Sequence, residues 1–499
     1  MNLHQNWEIT LKKAAQWLNE EPYELPLGWI WVKLGEVGTI VGGGTPRRDN
    51  PGFYEDGIIP WATPTDIDPK EILIISKTAE KITEEAVRGS SARVLPVGTV
   101  LFSSRASVGK IAIAGTKLAT NQGFANIIPA TVLGSKYLAY GLRNFAQDIE
   151  RLGSGTTYLE VAKSSLKEFY FPFAPLNEQR RIVSKIEGLF AENKTVREAL
   201  GKVPILLRRF RQSVLAKAFR GELIRGDPND EPARKPLRRI EQHKQKTRRK
   251  LNDKENQNLD IAENLPDLPE QWTYASADEL SSQITDGEHI TPKRQESGIY
   301  LLSARNVLDG RLALEDVDFI STEEHKRIKK RLNPEPGDVL LTCSGSVGRT
   351  CVVPKNRKFS MVRSVALIKP VKDLVDGEFM SFALRSDILQ SQIERKKTQT
   401  AQANIFQGKI RTLIFPLAPI NEQRQIVSRI KELFSWADHV EAAVNVAMKN
   451  VDRIDQAILN KAFRGKLVPQ DPGDEPASVL LQRIKAGIVQ QTTSQRQLG

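Results

Sequence analysis

The residue types that could perform catalysis do not form an arrangement typical of an enzyme. Residues 106–111 contain Gly-Lys, but they lack the first glycine and the hydroxyl that a phosphate-binding P-loop requires. The glycines at 42–44 are followed by Thr-Pro and basic residues rather than a helix, which excludes a dinucleotide turn. The histidines (His4, His243, His289, His325 and His439) are scattered without metal-ligand spacing. The sequence therefore predicts no catalytic residue and no metal site.

Two weaker signals for nucleic-acid chemistry also fail. Glu324-His-Lys326 has the Glu-x-Lys spacing of some nuclease cores, but residues 321–330 read as a surface helix instead of a strand. Asn333-Pro-Glu-Pro336 is not the Asn-Pro-Pro-Tyr type of motif found in DNA amino-methyltransferases. Neither a nuclease nor a methyltransferase site is predicted in this chain.

Loops that carry basic, amide and hydroxyl side chains beside turn residues predict contacts with double-stranded DNA. Arginine and lysine read guanine edges, Asn and Gln read adenine, and hydroxyls bind base edges or phosphate. In the first half the candidates are Thr45, Arg47, Arg48, Ser103, Arg105, Asn121, Gln122, Thr156 and Thr157. In the second half they are Lys293, Arg294, Arg305, Asn306, Ser344, Arg349, Thr398 and Thr400.

Composition agrees with a polyanionic partner. The chain has 499 residues, 73 Lys and Arg against 60 Asp and Glu, and a net charge of +13. Such an excess favours nucleic acid as the partner. No run of 18 apolar residues and no signal peptide occur, and only Cys343 and Cys351 are present. These features predict a reduced, cytoplasmic protein with no membrane span and no disulfide framework.

The chain contains an internal duplication at a constant offset. Residues 174–190 and 418–434 share twelve of seventeen residues, 244 positions apart. Lys217-Ala-Phe-Arg-Gly221 returns as Lys461-Ala-Phe-Arg-Gly465, and Asp230-Glu-Pro-Ala233 returns as Asp474-Glu-Pro-Ala477. The register never slips across either copy, which indicates one continuous element in each.

Each repeated segment has the apolar spacing of a long helix, alternating four and three residues. Asn177 and Asn421 are the predicted N-caps, and Pro204 predicts a kink in the first helix. The two helices are expected to pair antiparallel and to relate the halves by a pseudo-twofold axis; the alternative is that each packs on its own domain. The predicted pairing residues are Ile182, Ile186, Leu189, Leu207, Phe210, Ile426, Ile430, Leu433, Val451 and Ile454.

The predicted fold is mixed α/β (α+β): two mixed domains separated by two long antiparallel coiled-coil helices. Short β-branched runs between Gly- and Pro-rich turns predict the strands. The segments are an amphipathic N-terminal helix (1–20), domain 1 (21–173), a central helical region (174–225), a basic linker (226–267), domain 2 (268–417), a C-terminal helical region (418–467) and a tail (468–499).

This layout resembles the specificity subunit of Type I restriction–modification enzymes. Asn177-Glu-Gln-Arg180 with Ala218-Phe-Arg-Gly221, and their second copies, resemble the start and end of that family's conserved helical regions. Residues 43–46, 59–61, 103–105 and 119–124 look like one type of target-recognition domain, and residues 285–292 and 336–340 like another. The Thr-Asn-Gln-Gly-Phe motif of domain 1 has no counterpart in domain 2, where Val362-Arg-Ser-Val365 stands roughly in its place.

The resemblance implies a non-catalytic subunit that reads a bipartite, asymmetric DNA target with its two domains. It implies that the paired helices separate the domains and recruit two DNA adenine methyltransferase subunits, and that restriction subunits join them for cleavage. S-adenosylmethionine, ATP and Mg²⁺ would then be bound by those partners, with no cofactor on this chain. The alternatives are a stand-alone sequence-specific DNA-binding protein of the repressor kind and a nuclease with an unrecognised site.

Overall fold

A computed structural model of the chain describes residues 21–69, 71–130, 134–154, 159–247, 265–398 and 403–496. The predicted N-terminal helix (1–20) lies outside these residues. The chain divides into two compact units: unit 1 runs up to Leu200 and resumes at Val446, and unit 2 comprises Gly201–Asn445. The units therefore cut across the predicted segments, because each contains one domain and parts of both helical regions.

The strands of the described residues all lie within the two domains. Those of domain 1 are β1 (Ile30–Lys33), β2 (Gly38–Gly42), β3 (Ile59–Ala62), β4 (Leu73–Ile75), β5 (Glu80–Ile82), β6 (Val100–Ser103), β7 (Ile111–Ala114), β8 (Ala119–Thr120), β9 (Phe124–Pro129) and β10 (Tyr170–Phe173). Those of domain 2 are β11 (Thr273–Ser276), β12 (Ser281–Asp286), β13 (Ile299–Leu302), β14 (Val307–Leu308), β15 (Arg311–Leu312), β16 (Asp318–Ile320), β17 (Val339–Thr342), β18 (Thr350–Val352), β19 (Phe359–Met361), β20 (Val365–Pro370) and β21 (Ile414–Leu417).

The helices are short inside the domains and long in the repeated segments. They are α1 (Leu34–Val37), α2 (Glu84–Arg88), α3 (Ser135–Asn144), α4 (Ala146–Glu150), α5 (Lys163–Glu168), α6 (Leu176–Phe219), α7 (Arg234–Thr247), α8 (Ala277–Leu280), α9 (Thr322–Lys329), α10 (Gly377–Leu384), α11 (Asp387–Lys396), α12 (Gln407–Arg411), α13 (Ile420–Phe463) and α14 (Ala477–Arg496). Short 3-10 turns occur at Pro51–Phe53, Pro64–Asp66 and Ala304–Asn306.

The two domains share the order of four strands in the larger sheet and of three in the smaller one, which confirms the mixed α/β prediction; β4 of domain 1 and the β14–β15 pair of domain 2 have no counterpart. Domain 1 has a sheet in the order β2-β9-β6-β7-β4 and a smaller sheet β5-β3-β8. Domain 2 has β12-β20-β17-β18 and β16-β13-β19. In both smaller sheets the last pair, β3 with β8 and β13 with β19, is parallel. The strands of the larger sheets are apolar on both faces, because helices and the smaller sheet cover them, so β6, β7 and β17 are buried throughout.

Each domain is closed by its own ends. β1 pairs antiparallel with β10, and β11 pairs antiparallel with β21 in the matching register. The strand that opens a domain therefore lies beside the strand that leads into the long helix. This ladder is what places the first turn of α6 on domain 1 and the first turn of α13 on domain 2.

The repeated Asn-Glu-Gln sequence attaches each long helix to its domain. In unit 1 the buried Glu178 accepts a hydrogen bond from Trp29 Nε1 at 2.9 Å, and Gln179 Nε2 donates to the Ala174 carbonyl at 2.9 Å. In unit 2 Glu422 accepts from Trp272 Nε1 at 3.0 Å, and Gln423 donates to Ala418 at 2.8 Å. The sequence pattern is thus explained by a buried polar contact that is repeated in each half.

The prediction of Asn177 and Asn421 as N-caps is wrong. Both helices begin one residue earlier, at Leu176 and Ile420. Asn421 lies in the first turn, where its Nδ2 donates to Asp230 Oδ1 at 2.9 Å. The first helix runs as one element through Pro204, as the unbroken register predicts, and a kink at Pro204 stays a prediction. Pro204 removes the hydrogen bond to the Leu200 carbonyl, and because Gly201 and Pro204 are exposed, water can bind that carbonyl.

The long helices pair antiparallel within each unit. In unit 1 Asn193 Nδ2 donates to Asp455 Oδ1 at 2.8 Å, and Arg197 contacts both Asp452 and Asp455. In unit 2 Arg211 forms ion pairs with Asp438 at 2.6 Å and Glu441 at 2.9 Å. Hydrogen bonds and ion pairs between the two helices therefore stabilise the pair where the row of apolar contacts between them is interrupted.

Nine of the ten predicted pairing residues are buried or half-buried, and one is exposed. Buried are Ile182, Ile186, Leu207, Ile426, Ile430 and Val451; half-buried are Leu189, Phe210 and Leu433. Ile454 is 45% exposed, and Asp455 takes its place in the seam. Sequence periodicity favoured the isoleucine because it is apolar, whereas the partners Asn193 and Arg197 select the neighbouring carboxylate.

The last turn of each long helix completes a domain core. In unit 1 Phe463 is fully buried, with ring centroids 5.0 Å from Tyr137 and 6.0 Å from Phe171. Gly141 is required there, since a Cβ at this position would lie 2.4 Å from the Phe171 ring and 2.9 Å from the Phe463 ring. In unit 2 Phe219 packs against Phe379 at 5.1 Å.

The predicted basic linker (226–267) is wrong over its first part. Residues 234–247 form α7, and Leu237 is 7% exposed in the unit 2 core. The same arrangement occurs in the predicted tail, where α14 buries Leu480 and Ile484 in unit 1. The high charge density of residues 234–247 obscured an apolar stripe of the kind that docks a helix.

Which residues of the long helices face the buried contact between them can be tested with one substitution at a buried position and one at an exposed position. Ile430→Asp should lower the free energy of unfolding by roughly 3–5 kcal/mol, because an unpaired charge is placed in a dry site. Ile454→Asp should change it by about 0.5 kcal/mol or less, since that side chain is exposed. Urea denaturation followed by circular dichroism measures both. Equal losses would contradict the seam described here.

The buried Glu178 carboxyl should make stability depend on pH with a defined sign. Burial raises its pKa, although the hydrogen bonds from Trp29 and Gln470 lower it. The folded chain therefore keeps this proton to higher pH than the unfolded chain, and stability falls as pH rises from the ordinary glutamate pKa, about 4.3, through the raised value. Glu178→Gln cannot ionise, so its free energy of unfolding relative to wild type should rise over that interval.

The matched control is Glu192→Gln, an exposed glutamate of the same helix. Urea titrations of the three proteins at a series of pH values on both sides of about 4.3 give the comparison. If the free energy of unfolding of wild type instead increases relative to that of Glu178→Gln as pH rises, folding favours the carboxylate and not the acid.

Candidate nucleic-acid interface

Four loops of domain 1 meet beside the end of the larger sheet. We call them the glycine loop (43–48), the β6–β7 loop (103–109), the β8–β9 loop (120–124) and the bridge loop (154–160, of which 155–158 lie outside the described residues). Main-chain hydrogen bonds connect them in series: Gly44 N to Thr120 O at 2.8 Å, Ser104 N to Gly123 O at 2.8 Å, and Ala106 N to Leu159 O at 3.1 Å.

Domain 2 has the same junction, built from different side chains. Its loops are 287–294, 342–348, 361–365 and 398–404, with 399–402 outside the described residues. The corresponding bonds are Glu288 N to Met361 O at 2.8 Å, Cys343 N to Ser364 O at 2.8 Å, and Gly345 N to Ala403 O at 3.2 Å. The segments Asn121–Phe124 and Val362–Val365 therefore occupy equivalent positions despite their unrelated sequences.

Ser103 holds the β6–β7 loop in shape and does not face a ligand. It is completely buried, donates from Oγ to the Ser107 carbonyl at 2.5 Å and accepts from Lys110 N at 2.8 Å. Thr342 makes the same two contacts in domain 2, with Ser346 O and Arg349 N. The prediction of Ser103 as a DNA contact is therefore wrong, because its hydroxyl has no access to a ligand.

Asn306 is also a structural residue and its predicted DNA contact is wrong. Only 1% of its surface is exposed. Its Oδ1 accepts from Ser303 N at 3.0 Å, and its Nδ2 donates to the Ala313 and Asp316 carbonyls at 3.0 and 2.8 Å. All its amide hydrogen-bonding capacity is directed into the loop that it supports.

The three predicted arginines of domain 1 are exposed but ion-paired. Arg47 contacts Asp49 at 2.8 Å, and Arg105 contacts Glu160 at 3.6 Å. Arg48 makes two hydrogen bonds to Glu80, at 2.5 and 2.8 Å, and lies over the rings of Tyr54 and Trp61. Any phosphate or base that binds these guanidinium groups must compete with a carboxylate.

In domain 2 the predicted basic residues divide into paired and unpaired groups. Arg294 and Arg305 share Asp318, at 2.8 and 3.1 Å, which brings two separate predicted loops together. Lys293 is exposed and Arg349 half-buried, and neither has an ion pair with a described residue.

Of the predicted polar contacts, most that are described lie at the junctions. In domain 1 the Thr45 hydroxyl donates to Gln122 Oε1, and Asn121 Oδ1 accepts from Gly123 N at 2.9 Å in a local turn. In domain 2 Ser344 and Thr398 both form β-bridges with Asn404. Thr156, Thr157 and Thr400 lie outside the described residues, so their contacts stay predictions.

The Glu-x-Lys segment and the two cysteines, the other residues with reactive side chains, are held in the fold by local contacts or by burial. Glu324, His325 and Lys326 lie on α9, and His325 Nδ1 is 3.0 Å from Ser360 Oγ. Burial raises the pKa of the Cys343 and Cys351 thiols to about 12, which keeps them protonated. Within the described ranges no cluster of three His, Cys, Asp or Glu side chains could hold a metal, and no helix there has the length and apolarity of a membrane span.

Known proteins match the chain over most of its length. The EcoKI specificity subunit of Escherichia coli K12 is 25% identical over 490 residues, which cover 93% of this chain and 96% of that protein. The EcoBI specificity subunit of Escherichia coli is 28% identical over 370 residues, covering 70% and 71%. A chain from a solved structure of a type I R-M system shares the fold, with a TM-score of 0.64 at 22% identity over 89% of this chain and 100% of that one.

The family model covers both domains and extends into the long helices. The model described as Type I restriction modification DNA specificity domain matches residues 26–200 and 242–447. Its two matched regions agree with the internal duplication and with the shared topology of domains 1 and 2. This chain belongs to the Type I restriction modification DNA specificity domain family.

Proposed function

We propose that this protein is the DNA sequence-recognition subunit of a Type I restriction–modification complex and has no catalytic activity of its own. The observation that carries the proposal is the pair of four-loop junctions, which have one backbone plan and different exposed side chains. Each junction reads one half of a divided DNA target. Because the exposed residues differ, the two half-sites have different sequences, and the whole target is asymmetric.

The long helices serve assembly in this proposal. The same buried Glu–Trp contact holds their first turns on the domain in both units, so the exposed residues of those turns, such as Arg180 and Arg424, offer an equivalent surface to one methyltransferase subunit in each unit. Two methyltransferase copies would bind, and restriction subunits would join them for cleavage. S-adenosylmethionine, ATP and Mg²⁺ would be bound by those partners. The assembly would act in the cytoplasm, where its DNA is located.

Exchange of one domain tests independent reading. Residues 26–172 are replaced by a recognition domain of known target from another member of the family, and the chain is produced with its methyltransferase. Sequencing of methylated adenines should show one half-site changed and the other retained, because the junctions lie in separate domains. The matched control replaces residues 269–416 and should alter the opposite half-site. Alteration of both halves by either exchange would contradict the proposal.

The division of labour between subunits gives a second test. The purified chain alone, whatever its affinity for DNA, should neither methylate nor cleave it in the presence of S-adenosylmethionine, ATP and Mg²⁺. Addition of the methyltransferase should start sequence-specific methylation. If the chain alone methylates or cleaves DNA, and this activity persists through further purification, catalysis belongs to this chain. Binding of a defined DNA site with full affinity and no association with any methyltransferase would instead favour a repressor-like protein.

A further inference from the structure

The β8–β9 loop of domain 1 and its counterpart in domain 2 are held by matching main-chain bonds. Asn121 N donates to Ala62 O, and Val362 N donates to Leu302 O, both at 3.0 Å. On the other side Gly123 O and Ser364 O accept from the neighbouring loop, at 2.8 Å in both domains. These bonds bracket a single residue in each domain. Gln122 and Arg363 are therefore equivalent positions, and the main-chain bonds make exact the rough correspondence between these two segments that the sequence indicates.

In each loop the bracketed residue is also the exposed one. Gly123 is buried, and Asn121 is half-buried with its Oδ1 bonded to Gly123 N. Val362 is half-buried, and Ser364 Oγ accepts from Ala304 N at 3.1 Å. Gln122 and Arg363 are exposed. The loop thus presents one polar side chain to a ligand on a backbone that is fixed on both sides.

The Arg363 guanidinium, like Lys293 and Arg349 at the same junction, has no counter-charge among the described residues, whereas other arginines nearby do. Arg294 and Arg305 are paired with Asp318, and Arg327 with Glu324 at 2.8 Å. Arg363 has no ion pair or side-chain hydrogen bond with a described residue, while its main-chain N donates to Glu288 O at 3.0 Å. Its planar donors are available for a ligand, and because its backbone is already held in place, binding has to order only the side chain.

Gln122 is likewise available, with a partner that orients it. The Thr45 hydroxyl bonds Gln122 Oε1 and leaves the amide nitrogen and one lone pair of Oε1 unused. The arginines predicted around it, Arg47, Arg48 and Arg105, are each engaged by a carboxylate. An amide with one donor and one acceptor free matches the edge of adenine, whereas a guanidinium matches guanine.

We propose that Gln122 and Arg363 are equivalent specificity-determining residues, reading an adenine in one half-site and a guanine in the other. This inference rests on the proposed function and names the bases that one position of each junction recognises. Gln122 would donate to adenine N7 and accept from N6; Arg363 would donate to guanine O6 and N7. The two halves of the target then differ at this position because of one side chain on a shared backbone.

Reciprocal substitutions in the full complex with methyltransferase test the proposal. The readout is the methylated or bound fraction of a DNA library randomised over both half-sites. Arg363→Gln should reduce discrimination for G·C at one position of the domain 2 half-site by about 5- to 150-fold, the range for one bidentate pair. Gln122→Arg should do the same for A·T in the domain 1 half-site. In each case the other half-site should be unchanged.

Two further variants separate base reading from simple charge. Arg363→Lys keeps the charge but loses the planar fork, so the G·C preference should fall while overall affinity is retained. Arg357→Gln removes the same charge from an exposed arginine outside the junction and should leave every base preference intact. The thermal midpoint of each variant, expected to match wild type, establishes that the exposed substitutions do not unfold domain 2.

The outcomes are distinct. Arg363→Gln could weaken binding to all sequences alike and reduce the slope of log binding constant against log salt concentration by about one. Arg363 would then bind phosphate, and the proposal would be overturned. The same holds if base preferences are unaltered at every position. If wild-type complex shows no sequence preference at all, the proposed recognition function itself fails, independently of these residues.

Discussion

The packing on which the rest of the structure depends is the insertion of each long helix's last turn into the domain of the other repeat. Phe463, at the end of the second repeat, is buried against Tyr137 and Phe171 of domain 1, and Phe219, at the end of the first, packs against Phe379 of domain 2. Neither domain has a complete core without a helix end from the opposite half of the chain. Because buried aromatic rings contribute a large share of core stability, the folding of each domain is coupled to the formation of the helix pair.

The junctions separate support from recognition. Buried residues such as Ser103 and Thr342 are occupied entirely by the loop backbone, and they make the same contacts in both domains. The exposed side chains differ between the two domains, while the main chains that carry them are held by bonds that do not involve side chains. A fold organised in this way can change what it reads without changing how its loops are held, which suits a subunit whose targets must diversify.

The sequence predicts the parts of this structure that depend on local pattern. The duplication and the long helices follow from spacing. The apolar runs at 99–102, 110–113 and 338–342 predict strands, and β6, β7 and β17 lie within one residue of these bounds. Positions decided by a distant partner could not be predicted. Ile454 is exposed because Asn193 and Arg197 bind Asp455. Asn306 is buried because its amide donates to carbonyls several residues away, and the exact match of Arg363 with Gln122 follows from main-chain bonds between loops.

The exchange of helix ends between the two halves constrains how such genes can recombine. A new domain 1 must fit Phe463, more than 300 positions downstream of the Tyr137 that it contacts (463 against 137). That requirement is met in advance, because the inserted sequence Lys-Ala-Phe-Arg-Gly is identical at 217–221 and 461–465. Around this aromatic contact the two helix ends are interchangeable, whereas Ile458 and Leu480 of the unit 1 core correspond to Val214 and Pro236 in the other repeat. A recognition domain moved between the two positions therefore keeps its contact with the buried phenylalanine and has to accommodate only the residues that differ around it.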